Sequence, residues 1–115
     1  MILRPLFLSL SVFAATGCAS VPPPTARLAT SEAAVRAADE LKANETPAAQ
    51  FHLKLAQDQL TEAKALVEKG ENERATMLLV RSEADAELAV TLAKETVSAH
   101  DAKTAQGKVQ KLKTQ

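Results

Sequence analysis

The chain has 115 residues, enough for one small domain. Its 14 basic and 14 acidic residues balance, so there is no net charge to attract nucleic acid or an anionic membrane. The single cysteine excludes an intramolecular disulfide. Alanine, leucine, glutamate, lysine and glutamine dominate, and these residues favour helices. We therefore expect an all-α protein with a thin, alanine-rich core.

Residues 1–17 have the layout of an export signal. Arg4 supplies a positive charge, and an apolar run of about ten residues follows, from Leu6 to Ala15. This run is about half as long as a helix that crosses a bilayer. We therefore expect a cleaved signal rather than a permanent membrane-spanning helix.

The end of this leader resembles the lipobox of bacterial lipoproteins. That pattern is leucine, a small residue, glycine or alanine, and cysteine; here it is Ala15-Thr16-Gly17-Cys18, with alanine in place of the preferred leucine. The resemblance implies that Cys18 becomes the diacylated first residue and holds the protein at a membrane. Ala19 stands where an aspartate favours retention at the inner membrane, which implies the periplasmic face of the outer membrane. The alternative is an ordinary signal with a coincidental cysteine.

Residues 18–25 are predicted to be a tether that follows the lipidated cysteine. Pro22-Pro23-Pro24 favours a polyproline II spacer, because consecutive prolines fix φ and cannot enter a helix interior. The alternative is a proline motif read by a partner. A helical domain is then predicted over residues 26–102.

The first helix is predicted from Thr25 to Asn44. Its apolar face is short and mostly alanine: Ala34, Ala37, Ala38 and Leu41. A helix with so little apolar surface is marginal in water on its own. We therefore expect it to pack against the rest of the domain.

A helical hairpin is predicted to follow. Thr46-Pro47 is typical of an N-cap with proline at the first helical position, and Gly70 is typical of a left-handed stop. Between them, apolar residues recur at alternating spacings of four and three: Ala49, Leu53, Ala56, Leu60, Ala63 and Val67. Leu55 and Leu66 widen this seam. The short turn at Gly70 requires the next helix to run antiparallel.

The third helix is predicted from Asn72, as its cap, to about His100. It carries a stripe of small residues, expected to contact the second helix: Ala75, Leu79, Ser82, Ala86, Ala89 and Ala93. A bulkier stripe lies beside it: Met77, Val80, Ala84, Leu88 and Leu92. Three ion pairs with i,i+4 spacing are expected on the wet faces: Lys54–Asp58, Lys64–Glu68 and Arg81–Asp85. The overall prediction is a three-helix, TPR-like or coiled-coil-like arrangement.

The hairpin resembles a known family over about residues 27–100. The resemblance lies in Ala56, Leu60, Ala63 and Leu66, the Gly70 turn, Arg74-Ala75, and the run from Glu83 to Ala89. These positions look like the alanine-rich domain of unknown function 4398, found in bacterial envelope lipoproteins. Asn72 stands where the family often has an aromatic residue. The resemblance implies a helical fold and an envelope location, and it implies no catalytic residues.

Residues 103–115 are predicted to be a basic, flexible tail. Lys103, Lys108, Lys111 and Lys113 dominate it, and Gly107 is expected to interrupt any helix. One interpretation is a frayed, solvated end. The other is a contact with anionic lipid headgroups or peptidoglycan.

The sequence gives little support for a catalytic or metal-binding site. His52 is interpreted as a surface histidine and His100 as a residue near a helix C-terminus, where positive charge is favourable. The carboxylate pairs Asp58–Glu62 and Glu83–Glu87 lack the Glu-x-x-His partners of a di-metal site. We expect no metal, no cofactor and no enzyme activity.

Three function classes remain open. The favoured one is an outer-membrane-anchored periplasmic lipoprotein with a structural or protein-interaction role. Self-association, or docking of an envelope protein, would bury its second apolar stripe. The alternative is a module that binds peptidoglycan or a lipid surface through the basic tail. The least favoured class is an enzyme.

Overall fold

The computed structural model describes residues 20–114, and within that range the protein is built from helices. Helix α1 spans Thr25–Glu40, a short 3-10 helix spans Ala43–Glu45, α2 spans Pro47–Glu68, and α3 spans Asn72–Lys113. The predicted all-α class is confirmed, and so is the packing of α2 against α3 as an antiparallel hairpin.

Helix α1 completes a three-helix bundle. Lys64 pairs with Glu32, and Gln57 hydrogen-bonds to Asp39, so residue numbers rise along α1 as they fall along α2. Helix α1 is therefore antiparallel to α2 and parallel to α3. The bundle runs up, down and up, with its two connections at opposite ends.

The turn between α2 and α3 is a Schellman motif, as the glycine predicted. Gly70 has φ +75°, its N–H donates to the carbonyl of Val67, and the N–H of Glu71 donates to the carbonyl of Leu66. These bonds satisfy the last carbonyls of α2. The start of α2 also matches the prediction, with Thr46 at the N-cap and Pro47 first in the helix. We call residues 69–72 the hairpin tip.

The core lies where the three helices meet, and alanine makes up most of it. The predicted small-residue stripe of α3 is confirmed at all six positions: Ala75, Leu79, Ser82, Ala86, Ala89 and Ala93 are buried. The seam of α2 is confirmed at five, while Leu66 is buried and Val67 only half-buried. Small side chains let the helix axes approach closely. Leu79 is the largest side chain with no exposed surface.

Helix α1 departs from the prediction in length and in the face it buries. It ends at Glu40, because the chain reverses through Lys42, which has φ +54°, and the 3-10 turn. Its buried residues are Ser31, Val35 and Ala38. Of the predicted face, Ala38 is buried and Ala34 is half-buried against the core, whereas Ala37 and Leu41 are exposed, so the prediction was wrong at those two positions. Because the buried Ser31 is polar, the spacing of apolar residues does not identify it. The face of α1 that contacts the other helices therefore differs from the predicted one.

Helix α3 is far longer than predicted. It continues through His100 and Gly107 to Lys113, a total of 42 residues or about 63 Å. The prediction that Gly107 interrupts the helix was wrong, because one internal glycine costs only about 1 kcal/mol among strong helix formers. Ala93 is the last buried residue. We call residues 94–113, which extend beyond the bundle, the overhang.

The segment that precedes α1 also differs from the predicted polyproline II spacer. Pro24 has φ −81° and ψ 56°, which is an inverse γ-turn rather than polyproline II, and the N–H of Thr25 donates to the carbonyl of Pro23. Helix α1 thus begins at Thr25, within the predicted tether. At α3 the N-cap is Glu71, so the predicted cap at Asn72 was wrong by one residue.

Candidate interaction surface

A buried hydroxyl pair joins α1 to the hairpin. Ser31 Oγ donates to Ser82 Oγ at 2.9 Å, and Ser82 Oγ donates to the carbonyl of Ala56 on α2 at 2.8 Å. Both serines have no exposed surface. One chain of hydrogen bonds therefore connects all three helices at a single level and fixes their relative registers.

A half-buried polar group lies nearby, between α2 and α3. Asp85 accepts hydrogen bonds from His52 Nδ1 and Gln59 Nε2, each at 2.9 Å. The interpretation of His52 as a surface histidine was therefore wrong, because its ring lies against the facing helix. The predicted Arg81–Asp85 pair is replaced by these contacts. The hydrogen bonds of this group therefore join α2 to α3.

Ion pairs across helices replace another predicted local pair. Lys64 pairs with Glu32 of α1 at 2.7 Å rather than with Glu68. The hydrogen bond from the Lys64 ammonium, reinforced by its charge, lowers the pKa of the Glu32 carboxyl. The Lys54–Asp58 pair is confirmed at 3.1 Å. Exposed ion pairs of this kind each contribute little to stability.

One member of each carboxylate pair considered in the sequence, Asp58–Glu62 and Glu83–Glu87, forms an ion pair with a basic residue. Asp58 pairs with Lys54, while Glu83 pairs with Arg27 of α1 at 2.9 Å. Within residues 20–114, no three His, Cys, Asp or Glu side chains lie close enough together to hold a metal ion. His100 lies in the middle of the overhang and is exposed, so its predicted place near a helix C-terminus was wrong.

The N-terminal segment is attached to the hairpin tip. Asn72 Nδ2 donates to the carbonyl of Val21 at 2.7 Å, and Val21 lines a shallow groove with the tip residues. No sequence signal indicated this contact between positions 51 residues apart. The predicted lipidation site, Cys18, lies outside the described residues.

The overhang is a long surface that the bundle leaves uncovered. Every residue from 94 to 114 is exposed, and the large apolar side chains among them are Val97, Val109 and Leu112. The overhang carries five lysines against Glu95 and Asp101, whereas residues 20–93 carry eight basic and twelve acidic side chains. The molecule therefore has an acidic bundle and a basic end.

The bulkier stripe of α3 lies on the side opposite the core. Met77 is 54% exposed, Val80 46% and Leu88 40%, and Ala84 is also exposed. Leu92, the fifth member of the predicted stripe, is instead half-buried against the core. The stripe leads directly onto the exposed face of the overhang.

Other surface features are modest. A shallow groove on α2 is lined partly by Pro47, Phe51 and Leu55, and Phe51 is 61% exposed. A second lies where Leu41 meets Ala93 and Val97, at the point where α3 leaves the bundle. Across residues 20–114, no helix combines the length and apolar character that crossing a bilayer requires.

These features define an all-α protein built on a helical hairpin, one helix of which extends well beyond its bundle. The chain belongs to the family described as Domain of unknown function (DUF4398), which matches residues 26–112. The match includes nearly all of the overhang, farther than the resemblance over residues 27–100 reached. No curated protein and no solved structure matches the chain.

Proposed function

We propose that the protein is a lipid-anchored interaction protein of the bacterial envelope, held at the periplasmic face of the outer membrane through Cys18 and without catalytic activity. Its interaction surface is the outward face of α3, including the overhang. The observation that carries this proposal is the overhang itself, a long helix whose residues are all exposed.

An anchor is supported by Ala15-Thr16-Gly17-Cys18, which has the lipobox pattern apart from its first residue. Two acyl chains hold a protein at a membrane stably, whereas one is marginal. Cys18 is three residues from Val21, a distance of at most about 11 Å along the chain. Because Val21 is bonded to the hairpin tip, an anchor at Cys18 would lie close to that tip.

An interaction role is supported by the low stability of an isolated helix such as the overhang. A single helix of about 20 residues is marginal in water, since most helical stability in proteins comes from tertiary packing. Beyond Ala93 no residue of α3 is buried, and the bundle reaches only the start of the overhang, where Leu41 lies beside Val97. A partner that covers the overhang would supply this packing, and would bury Val109 and Leu112 at the same time.

The anchor is tested by labelling cells with radioactive palmitate. The full chain is expected to incorporate the label and to fractionate with the outer membrane. Cys18→Ser is expected to remove both properties, and Thr16→Ser serves as a control because it keeps a small residue in the lipobox pattern. Label that persists in Cys18→Ser would overturn the lipidation.

The interaction role is tested by placing a photo-crosslinking amino acid in the full chain. At Ala105 on the overhang it is expected to give discrete protein adducts in cells. At Gln57, an exposed site on α2, it is expected to give few. Equal yields at the two positions, or none at Ala105, would contradict a partner on the overhang.

A second candidate function is binding to peptidoglycan or an anionic lipid surface, supported by the basic charge of the overhang. That charge lies at the end of α3 remote from Val21. If it binds isolated sacculi or anionic vesicles, Lys111→Gln with Lys113→Gln should reduce retention severalfold. Arg36→Gln with Lys69→Gln removes the same charge from the bundle and should not. Equal losses would indicate a nonspecific effect of charge.

A further inference from the structure

A row of alternating charges follows α3 from the bundle onto the overhang. It consists of Glu87, Lys94, Asp101 and Lys108, which recur at every seventh position and alternate in sign. All four are exposed. Within residues 20–114 none of them forms an ion pair. We call these four residues the charge row.

A seam with coiled-coil spacing lies beside the charge row, on the side of α3 that faces away from the bundle. It recurs at alternating spacings of four and three over Ala84, Leu88, Thr91, Glu95, Ser98, Ala102, Ala105, Val109 and Leu112. All nine residues are exposed. We call this set the outer seam. Its beginning lies on the bundle and its end on the overhang.

We propose that α3 forms an antiparallel two-stranded coiled coil with α3 of a second copy of this chain, centred between Thr96 and Val97. The inference rests on the proposed interaction role and names the partner. Each overhang then lies on the outward face of the other copy's bundle. The basic overhang of one copy thus meets the acidic bundle of the other.

The charge row selects both the direction and the register of the pair. With the centre between residues 96 and 97, the member of the row in the second copy that lies nearest to Lys94 is Asp101, and the one nearest to Lys108 is Glu87. Each lies two residues, or about 3 Å, from exact opposition, within reach of these long side chains. By symmetry each contact occurs twice, so every member of the row meets an opposite charge. The row is therefore complementary to itself in this arrangement.

In the neighbouring registers, members of the charge row face like charges. A shift of one heptad in one direction sets Lys94 against Lys94 and Asp101 against Glu87. The opposite shift sets Asp101 against Asp101 and Lys94 against Lys108. A parallel pair sets Lys108 against Lys113 and gives the row no opposite charge. Like charges at these flanking positions are unfavourable, so of these four arrangements only the proposed one is attractive.

In this register, the side chains of the outer seam that face each other have complementary sizes. Val109 of one copy meets Ala84 of the other, and Ala105 meets Leu88, so a larger side chain faces a smaller one. At the centre, Ser98 faces Glu95, and the hydroxyl can donate to the carboxylate. A polar central layer lowers the stability of a coiled coil but specifies its alignment.

The arrangement has a consequence for the anchors. Because the helices are antiparallel, the two hairpin tips lie at opposite ends of the dimer, about 70 Å apart. Anchors near the tips would hold such a dimer along one membrane surface or join two surfaces.

Disulfide trapping tests the register. The chain from Ser20 to Gln115 lacks cysteine and retains the contacts described above, so single cysteines report only on the pairing. Ala84→Cys mixed with Val109→Cys is expected to give a mixed disulfide dimer, since the two positions face each other. Neither variant alone should crosslink, because each position lies about 37 Å from its own copy. A Val109→Cys homodimer would overturn the proposal in favour of a parallel pair.

Charge exchange tests the row itself. Lys94→Glu with Lys108→Glu should weaken self-association at least tenfold, and adding Glu87→Lys with Asp101→Lys should restore it to within threefold. The control, Lys103→Glu with Lys111→Glu, makes the same change in net charge away from the seam and should have little effect. A loss without recovery in the fourfold variant, or an equal loss in the control, would overturn the register.

The same cysteine pair, carried by two differently tagged full chains in one cell, separates this inference from the proposed function. A mixed disulfide supports self-pairing. If the overhang instead crosslinks only to another protein, self-pairing is wrong and the interaction role stands. If the overhang crosslinks to nothing, both are wrong.

Discussion

Substitution of Ser82 by alanine tests whether the buried hydroxyl pair is an energetic link among the three helices. The two serines have different roles. Ser82 accepts from Ser31 and donates to the carbonyl of Ala56, whereas Ser31 only donates to Ser82. Removal of Ser82 therefore leaves the Ser31 hydroxyl buried without its acceptor, while removal of Ser31 leaves the bond from Ser82 to Ala56 intact.

The expected free energies of unfolding follow from this asymmetry. Ser31→Ala loses one ordinary hydrogen bond, about 1 kcal/mol. Ser82→Ala leaves a buried donor unsatisfied and should cost about 2–3 kcal/mol. The double variant removes that orphaned donor, so it should be about 1 kcal/mol more stable than Ser82→Ala alone.

Urea unfolding of the four proteins, followed by circular dichroism at 222 nm, measures these differences. Equal m-values would show that the comparison concerns the folded state. If Ser82→Ala costs no more than Ser31→Ala, the Ser31 hydroxyl has found another acceptor, such as the carbonyl of Arg27 one turn earlier, and the reasoning is refuted.

Three further perturbations test the core, the hairpin turn and the contact between α1 and α2. Leu79→Ala, at a position with no exposed surface, should lower the free energy of unfolding by about 3 kcal/mol in urea unfolding. Gly70→Ala should lower it by about 1 kcal/mol because alanine is strained at φ +75°, although nothing lies within 4 Å of the added methyl group. The pKa of Glu32 should lie below its ordinary value of 4.5 in an NMR titration, and Lys64→Met should raise it. Since this pKa is lowered by folding, the Lys64–Glu32 contact contributes stability above pH 4.5 and loses it as the pH falls through the lowered pKa.

Each of these predictions has a control and a contradicting result. Leu41→Ala makes the same substitution at a position that is 42% exposed and outside the outer seam, and it should cost at most about 1 kcal/mol. Gly107→Ala should raise the helix signal, since this glycine lies within α3; a destabilising effect equal to that of Gly70→Ala would contradict the turn argument. A Glu32 titration that is unchanged in Lys64→Met would exclude Lys64 as the cause of the shift.

The hairpin could be predicted because its pattern is dense and local. The small-residue stripe of α3 repeats at coiled-coil spacing, and Pro47 and Gly70 define the two ends of α2 by backbone chemistry alone. These signals depend on each residue and its near neighbours. The buried face of α3 was therefore correct at every position.

Helix α1 and the polar contacts could not be predicted because they depend on partners distant in sequence. Ser31 is buried with Ser82 as the acceptor of its hydrogen bond, and His52 is half-buried with Asp85 as its partner on the facing helix. The Asn72 side chain looks like a helix cap in the sequence but bonds to Val21. The spacing of apolar residues carries no information about hydrogen-bond partners that are distant in sequence.

The overhang was not predicted, because Gly107 and the lysines were interpreted as signs that the helix had ended. Helix propensity in the surrounding residues outweighs one glycine. The charge row was present in the sequence, but its meaning depends on a continuous helix through residues 94–108. Once α3 reaches Lys113, the same residues form one exposed face.

Sedimentation equilibrium tests the central claim most directly, by comparing the chain from Ser20 to Gln115 with the same chain ended at Lys94. The account predicts that the longer protein is a dimer, and that the shorter one is a monomer whose helix signal and cooperative unfolding show an intact bundle. A longer chain that stays monomeric over the whole concentration range would contradict the claim. A shorter chain that is unfolded would show that the bundle depends on the overhang.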